Sequence, residues 1–498
     1  MNTKKILIIG LMIISLTITL MSLTNLGISK ATAESPDVSQ DVGADAEFIT
    51  YLPAVIRDDL PQVESVFGVD VGTIYPSGDL QAMRQAGAYW LRHDVRWSDI
   101  QPNGPNDWYT ESLVGLEKQL LFAQDYDMQV ILFIHSTPTW ARFPEYFKYS
   151  CSPIQQEDFT AFGNFLNKLV SSYSSPPYNV LYWELYNEPD IASGGLLPYD
   201  SEYGCWGDAN DQYFGGGYYA DMLQVVYQRI KKANSNAQVL LGGLLLDCNP
   251  DSKTGCKTED EKKPSRFLEG ILRHNGANDG GNYFDGVSFH AYDYYIGKLG
   301  RFGNPNWDSY WNTTGPVSIA KASFIRSLLT NPLFGAQNKF LINTEAALVC
   351  GGSFDPPGEE LCGEHEFELT KAYYLIQSYT TAIADNLDGN IWYSALGWRN
   401  SGLLYSDYSP RPAYYAYRTL RSELVHAKFS SRITDYSGVS VYEFTRGFKR
   451  IWVVWSLDGK NKTITLPSTP SKVIDALGNY LIPVNPIEVT IKPLILEF

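Results

Sequence analysis

Apolar and polar positions along this chain recur in two rhythms, and the rhythm changes near Glu423. Before that point eight short apolar or β-branched runs stand out: Ser65–Val71, Tyr89–Val95, Gln129–His135, Val180–Tyr186, Gln238–Leu246, Gly286–Tyr292, Lys339–Glu345 and Asn390–Ala395. Their length suits strands. Between them lie stretches such as Phe159–Ser172 and Tyr218–Ala233, whose apolar residues return at three- and four-residue steps, the period of an amphipathic helix. Strand and helix alternating in this way predict a parallel sheet. Eight such units over about 350 residues predict a closed (β/α)8 TIM barrel with several long loops.

After Glu423 the helical period disappears. Val439–Phe444, Arg450–Trp455, Lys462–Leu466 and Ile487–Leu494 alternate in twos around turns such as Asp458-Gly459, which predicts a small C-terminal antiparallel β domain. Within it, the run from Ile451 to Trp455 sets Trp452 and Val454 on one face and Trp455 on the other. At least one tryptophan should therefore be buried against a neighbour, and the domain should pack on the barrel. At the other end, Lys4 and Lys5 precede an apolar run from Ile6 to about Leu23, followed by Ala31-Thr32-Ala33. That is the pattern of an export signal, with an uncleaved membrane anchor as the rival reading. The expected organisation is a signal peptide at 1–33, an acidic tether at 34–62, the barrel at 63–423 and the β domain at 424–498, in a secreted or N-terminally anchored protein.

Composition changes this picture little. Charged residues make up 19% and hydrophobic residues 44%, which suits a packed core and argues against disorder. The net charge of −16, with no basic patch, argues against a nucleic-acid partner. Aromatics reach 14%, with 34 Tyr and 12 Trp; their flat apolar faces match sugar rings, although a Tyr-rich core and surface would read the same way. The cysteines are even in number, Cys151, Cys205, Cys248, Cys256, Cys350 and Cys362, with no CxxC pair and no histidine at zinc-ligand spacing. In an oxidising compartment they predict disulfides rather than a metal site. Loops that meet at one end of the barrel would pair Cys151 with Cys205, Cys248 with Cys256 and Cys350 with Cys362. Gly363-Glu364-His365-Glu366 lacks a second histidine at helical spacing and reads as a loop or helix start.

The fourth strand ends Trp183-Glu184-Leu185-Tyr186-Asn187-Glu188-Pro189, and the seventh ends Ile342-Asn343-Thr344-Glu345. Barrels carry their chemistry at the C-terminal ends of their strands, so Glu188 and Glu345 should face each other across the mouth. Two such carboxyl groups, one protonated and one ionised, are the apparatus of glycosidic bond cleavage. Glu184, on the same face as Glu188 but deeper, is expected to pair with an arginine.

The Trp-x-Leu-x-Asn-Glu-Pro run together with Glu345 resembles the clan of retaining (β/α)8-barrel glycosidases that includes families 5 and 39, over about Val63 to Tyr417. The resemblance implies Glu188 as acid/base and Glu345 as nucleophile. It further implies Arg92 beneath the nucleophile, Tyr292 bonded to it, Asn187 on the sugar 2-hydroxyl and Trp392 as sugar platform. His135, before a Thr-Pro-x-Trp-Ala loop, His290 beside Tyr292, and Trp398 beyond the eighth strand complete the candidate substrate-binding set. Asp94 has no assigned role. The activity implied is retaining hydrolysis of β-linked glycosides, of plant-type β-glucan, mannan or xylan, with neither metal nor organic cofactor. A transglycosylase using the same residues, or a non-catalytic carbohydrate-binding protein on the same scaffold, are the alternatives. The loops after the fourth, fifth and seventh strands depart from a simple clan member.

Overall fold

The computed structural model describes residues 63–192, 203–250, 255–309, 311, 313–351, 362–363 and 365–498. The expected signal and tether at 1–62, the loop containing Phe354-Asp355-Pro356-Pro357, and Glu364 lie outside the described residues. Among those described, no helix is long and apolar enough to cross a membrane.

Eight parallel strands close into a barrel: β1 Phe67–Asp70, β2 Trp90–Arg96, β3 Gln129–His135, β4 Tyr182–Asn187, β5 Gln238–Leu244, β6 Gly286–Tyr295, β7 Phe340–Cys350 and β8 Gly389–Tyr393. Each pairs with its sequence neighbours, and β8 closes the ring on β1. The helices that follow the strands in turn are α1 Gly78–Ala86, α2 Thr110–Asp125, α3 Phe159–Tyr173, α4 Gly216–Ala233, α5 Phe267–Arg273, α6 Val317–Leu329, α7 His365–Ala384 and α8 Pro412–Leu424. The expected TIM barrel is thus the architecture found. Strands β6 and β7 run past their expected ends at Tyr292 and Glu345 and stay paired up to Tyr295 and Cys350. A two-residue strand, Trp307–Asp308, caps the end of β6.

Alternation in the strands sorts the barrel interior into layers. Trp90, Ile131, Leu240, Ile342 and Ile391 fill the bottom as one apolar cluster. Above them Arg92 of β2 lies over the Phe133 ring, 3.9 Å from its centre. The functional level sits above that.

The C-terminal region forms a six-stranded antiparallel sheet from β9 Lys428–Ile433, β10 Val439–Arg446, β11 Lys449–Ser456, β13 Lys472–Asp475, β14 Tyr480–Leu481 and β16 Leu494–Glu497, in the order β9-β10-β11-β16-β13-β14. A separate two-stranded ladder joins β12 Lys462–Ile464 to β15 Ile487–Val489. The single strand expected over Ile487–Leu494 is two strands in different sheets. Pro493 has no N–H to continue a ladder, and it falls at the break. Trp452 and Val454 face the ladder in a small core of their own. Ile451, Val453 and Trp455 face the other way and join the main core. Glu423 at the end of α8 adds ion pairs to Arg446 and Lys472.

All three expected disulfides are present: Cys151–Cys205, Cys248–Cys256 and Cys350–Cys362. His365 begins α7, in line with the expected helix start.

Candidate active site

The centre of the mouth is a buried polar network built on Arg92, which is 1% exposed. Its Nε and Nη2 donate to the two carboxylate oxygens of Glu184 at 2.9 and 3.1 Å. Nη2 also donates to Asn187 Oδ1 at 2.7 Å, and Nη1 donates to Glu345 Oε1 at 2.5 Å. A guanidinium offers five N–H groups in one rigid plane, which lets Arg92 hold these three partners at once. Glu184 is closed from behind by Gly243 N at 2.7 Å and by the Thr344 hydroxyl at 3.3 Å. Its expected role as the arginine's partner is therefore what the structure shows.

Local backbone breaks put the remaining groups on the axis. On β4 strict alternation would aim Tyr186 inward, but Tyr186 sits at φ 66° and turns out to meet Thr137 Oγ1. Asn187 turns in, and Glu188 follows at φ 48°. Two non-glycine residues in the left-handed region cost on the order of 1–3 kcal/mol each, a strain found where a site over-determines its backbone. On β7 the register shifts between Asn343 and Ala346, so the consecutive residues Thr344 and Glu345 both reach the interior.

His290 stands between the two candidate carboxyl groups. Its Nδ1 lies 2.8 Å from Glu188 Oε1 and its Nε2 lies 3.5 Å from Glu345 Oε1. Tyr292, two residues on along β6, donates its hydroxyl to Glu345 Oε2. Gly243 makes room for this, since a Cβ there would come within 2.1 Å of His290 Nε2. One atom each from Glu188, His290 and Glu345 lies within 4.8 Å of the other two. A cation could be ligated by such a set, but it would sit beside the Arg92 guanidinium, which already occupies Glu345 Oε1.

The two carboxyl groups differ in environment. Burial pushes Glu188 well above the usual carboxylate range, and the charges of Glu345 and Asp190 push it the same way. Burial also raises Glu345, to about 7, but the Arg92 charge and the Tyr292 hydrogen bond oppose that rise. The pair therefore loses its first proton from Glu345 and keeps its second on Glu188. Burial, with the positive charges of Arg92 and Lys321, holds His290 well below the usual imidazole range, so it is neutral. Lys321 of α6 reaches this level from behind, where its ammonium donates to the carbonyls of Leu245 and His290 at 2.6 and 2.8 Å. No sequence signal marked Lys321, a lone lysine on an amphipathic helix.

The other expected residues divide. Trp398 is exposed at the mouth, its ring edge-on to Tyr292 at 6.1 Å. His135 is buried and contacts Asp94 Oδ2 at 3.4 Å and the Ser136 hydroxyl at 3.1 Å. Trp392 is a correction. It is fully buried, donates to Ser401 O at 2.8 Å and packs edge-on against Tyr374 of α7. With Ile391 in the bottom layer of the interior, Trp392 faces the helices, and the next residue, Tyr393, faces in. Tyr393 lies edge-on to Tyr292 at 6.3 Å. A one-residue shift of register exchanges the two faces of a strand, so Tyr393 takes the inward place expected of Trp392.

Residues 66–313 match the family model described as cellulase (glycosyl hydrolase family 5). Among solved structures, a family 39 glycoside hydrolase from the gut symbiont Bacteroides cellulosilyticus WH2 is similar at TM-score 0.61 and 18% identity, covering 86% of this chain and 80% of that one. A GH30 endoxylanase from Clostridium papyrosolvens C71 is similar at TM-score 0.53 and 13% identity, covering 88% and 97%. A conserved exported protein from Bacteroides fragilis is similar at TM-score 0.54 and 12% identity, covering 87% and 98%. No curated protein sequence matches the chain.

Proposed function

From the match of residues 66–313 to the family 5 cellulase model and from the barrel fold shared with family 39 and family 30 structures, we propose that this chain is a barrel glycoside hydrolase that cleaves β-linked glycosides with retention. Glu345 is the nucleophile and Glu188 the acid/base. The observation that carries the reading is the spacing and inequality of the two carboxyl groups. An oxygen of each lies within 4.8 Å of the other. That suits the gap of about 5–5.5 Å used for direct attack better than the roughly 6.5–9.5 Å that leaves room for a water.

The steps follow from the contacts. Glu345, which ionises first of the pair because Arg92 and Tyr292 oppose the effect of its burial, attacks the anomeric carbon. Glu188, kept protonated by burial, delivers its proton to the leaving oxygen. After the aglycone departs, Glu188 is the base that takes a proton from the incoming water, and the glycosyl-enzyme bond to Glu345 is cleaved. Neutral His290 can exchange a hydrogen bond with Glu188 in either protonation state, which keeps its carboxyl aimed at the leaving group. Asn187 has its carboxamide oxygen committed to Arg92, so the NH2 is the part left for a sugar hydroxyl. Trp398 offers an exposed ring face beside Tyr292, with Tyr393 next to it. The expected substrate is a plant-type β-glucan, mannan or xylan, and the match to a cellulase model supports the β-glucan among these.

The test is a pair of variants on an aryl β-glycoside. Glu345→Ala should lose nearly all turnover. Glu188→Ala should accumulate a glycosyl-enzyme, and azide should restore turnover with a glycosyl azide of retained configuration. Wild-type product of inverted configuration would sink the mechanism.

A further inference from the structure

One buried charge is used by none of the steps above. Lys321 lies on the packed face of α6, between Val317 and Ile325, and is 5% exposed. An apolar side chain would fill that place at lower cost, because an ammonium gives up its hydration when it is buried. The ammonium donates to the carbonyls of Leu245 and His290, so it ties the turn after β5 to β6 at the level of the imidazole. Burial lowers Lys321 to about 8, while Asp247, Asp190, Glu188 and Asp293 oppose that fall, so it carries its charge at neutral pH.

Asp190 grips the same turn. It is 2% exposed, and its two carboxylate oxygens accept from Leu245 N at 2.9 Å and from Leu246 N at 2.8 Å. Leu246 is held in the left-handed region, at φ 47°, and Trp311 Nε1 donates to its carbonyl at 2.7 Å. These contacts close a ring around the candidate acid. From Glu188 the chain passes through Pro189 to Asp190, whose carboxylate crosses to the Leu245 peptide. The Leu245 carbonyl leads to Lys321, and Lys321 leads to the His290 carbonyl. The His290 ring returns to Glu188 Oε1. One arm of the ring therefore holds the Glu188 backbone and the other holds its carboxyl. Glu188 sits at φ 48°, a strained conformation that persists only where its surroundings impose it.

We propose that Lys321 and Asp190 are positioning residues for the acid/base, which together hold Glu188 where its proton meets the leaving oxygen. The inference rests on the glycosidase reading of the mouth. The test takes Lys321→Met and Asp190→Asn, each close in shape to the residue replaced, to matched dinitrophenyl and phenyl β-glycosides of glucose, mannose and xylose. On both substrates kcat/KM reports the first step, but only the phenyl leaving group needs the proton of the acid. A misplaced Glu188 should cost about 30-fold or more on the phenyl glycosides, part of the roughly 10²–10⁴ that a general acid supplies. On the dinitrophenyl glycosides the loss should stay within about threefold, with KM little changed, because that step bypasses the general acid. Labelling of Glu345 by a dinitrophenyl deoxyfluoroglycoside, which needs no acid, should keep its wild-type rate. A merely structural role would lower both substrates and the labelling alike, and that result would overturn the proposal. So would wild-type activity on the phenyl glycosides in either variant. If one variant does not melt cooperatively, the other decides by the same comparison; if neither does, the ring is a requirement of folding and the proposal falls. A wild type that turns over neither substrate and takes no label removes the glycosidase reading and this inference with it. An active wild type with uniform losses in the variants removes only the inference.

Discussion

Replacing Arg92 by methionine should damage stability and the acid side of the pH profile together. Arg92 and Glu184 are 1% and 0% exposed, so the variant strands buried carboxylate charge. Breaking a buried ion pair from one side costs about 3–5 kcal/mol. The same change removes the cation from Glu345 Oε1. At an effective dielectric of about 20, opposite charges about 4 Å apart interact by about 4 kcal/mol, or about 3 pKa units at most. Tyr292 keeps its hydrogen bond to Glu345, so a rise of about 2 units is the expected outcome. The cation favours the ionised form, so its loss raises the Glu345 pKa. In the proposed mechanism Glu345 is the nucleophile and must be ionised, so the acid limb of kcat/KM should move to higher pH by that amount. Adding Glu184→Gln removes the stranded charge, so Arg92→Met/Glu184→Gln should recover much of the stability, and because the Glu184 charge itself raises Glu345 the displaced limb should return part of the way. The assays are thermal or denaturant unfolding and a pH–rate profile on an activated aryl β-glycoside. An Arg92→Met protein with wild-type stability, or with an unmoved acid limb, would refute the reasoning.

Three further outcomes are expected. Glu188 has its pKa raised in the folded state, so the native protein holds more protons than the unfolded chain and stability falls as pH rises above the unfolded value of about 4.3. Glu188→Gln cannot ionise, so its melting temperature should gain on the wild type as pH rises from about 5 until Glu188 ionises in the folded protein, and a constant gap would contradict the burial argument. The Cys151–Cys205 bridge spans 54 residues and Cys248–Cys256 only 8; by the chain-entropy relation their removal as double serine variants should cost about 4 and about 2.5 kcal/mol, and the reverse order in denaturant titrations would contradict it. Trp455, 3% exposed on the barrel-facing side of β11, should cost about 3–5 kcal/mol when changed to alanine; residues 424–498 expressed alone should fold poorly, and a cooperative melt of that fragment would show that the barrel contact is dispensable.

Much of the site was legible because strand ends are legible. Asn187-Glu188-Pro189 and Thr344-Glu345 each close an apolar run, and a barrel brings such ends to one mouth. Arg92 and Tyr292 came from the resemblance to the barrel glycosidases, His290 from sharing a strand face with Tyr292, and the disulfide pairs from which loops must be neighbours. Alternation failed where the backbone leaves it. The left-handed Tyr186 exchanges the inward place with Asn187, and the shift in β7 turns two consecutive residues inward. On β8 an uncertainty of one residue was enough to put Trp392 in place of Tyr393.

The sequence by itself therefore determined the periodicities: which segments are strands, which are helices, and that the chain closes on eight of them before turning to an antiparallel domain. These are properties of neighbours along the chain, where each residue's face follows from its spacing. Only the tertiary structure decided that Arg92 binds Glu184, Asn187 and Glu345 together, that His290 stands between two unequal carboxyl groups, and that Lys321 reaches the His290 carbonyl from a helix. Those partners lie on different strands and helices, and the energies that set their charge states depend on burial and on distances of a few ångströms. No linear pattern encodes such distances until the barrel has closed.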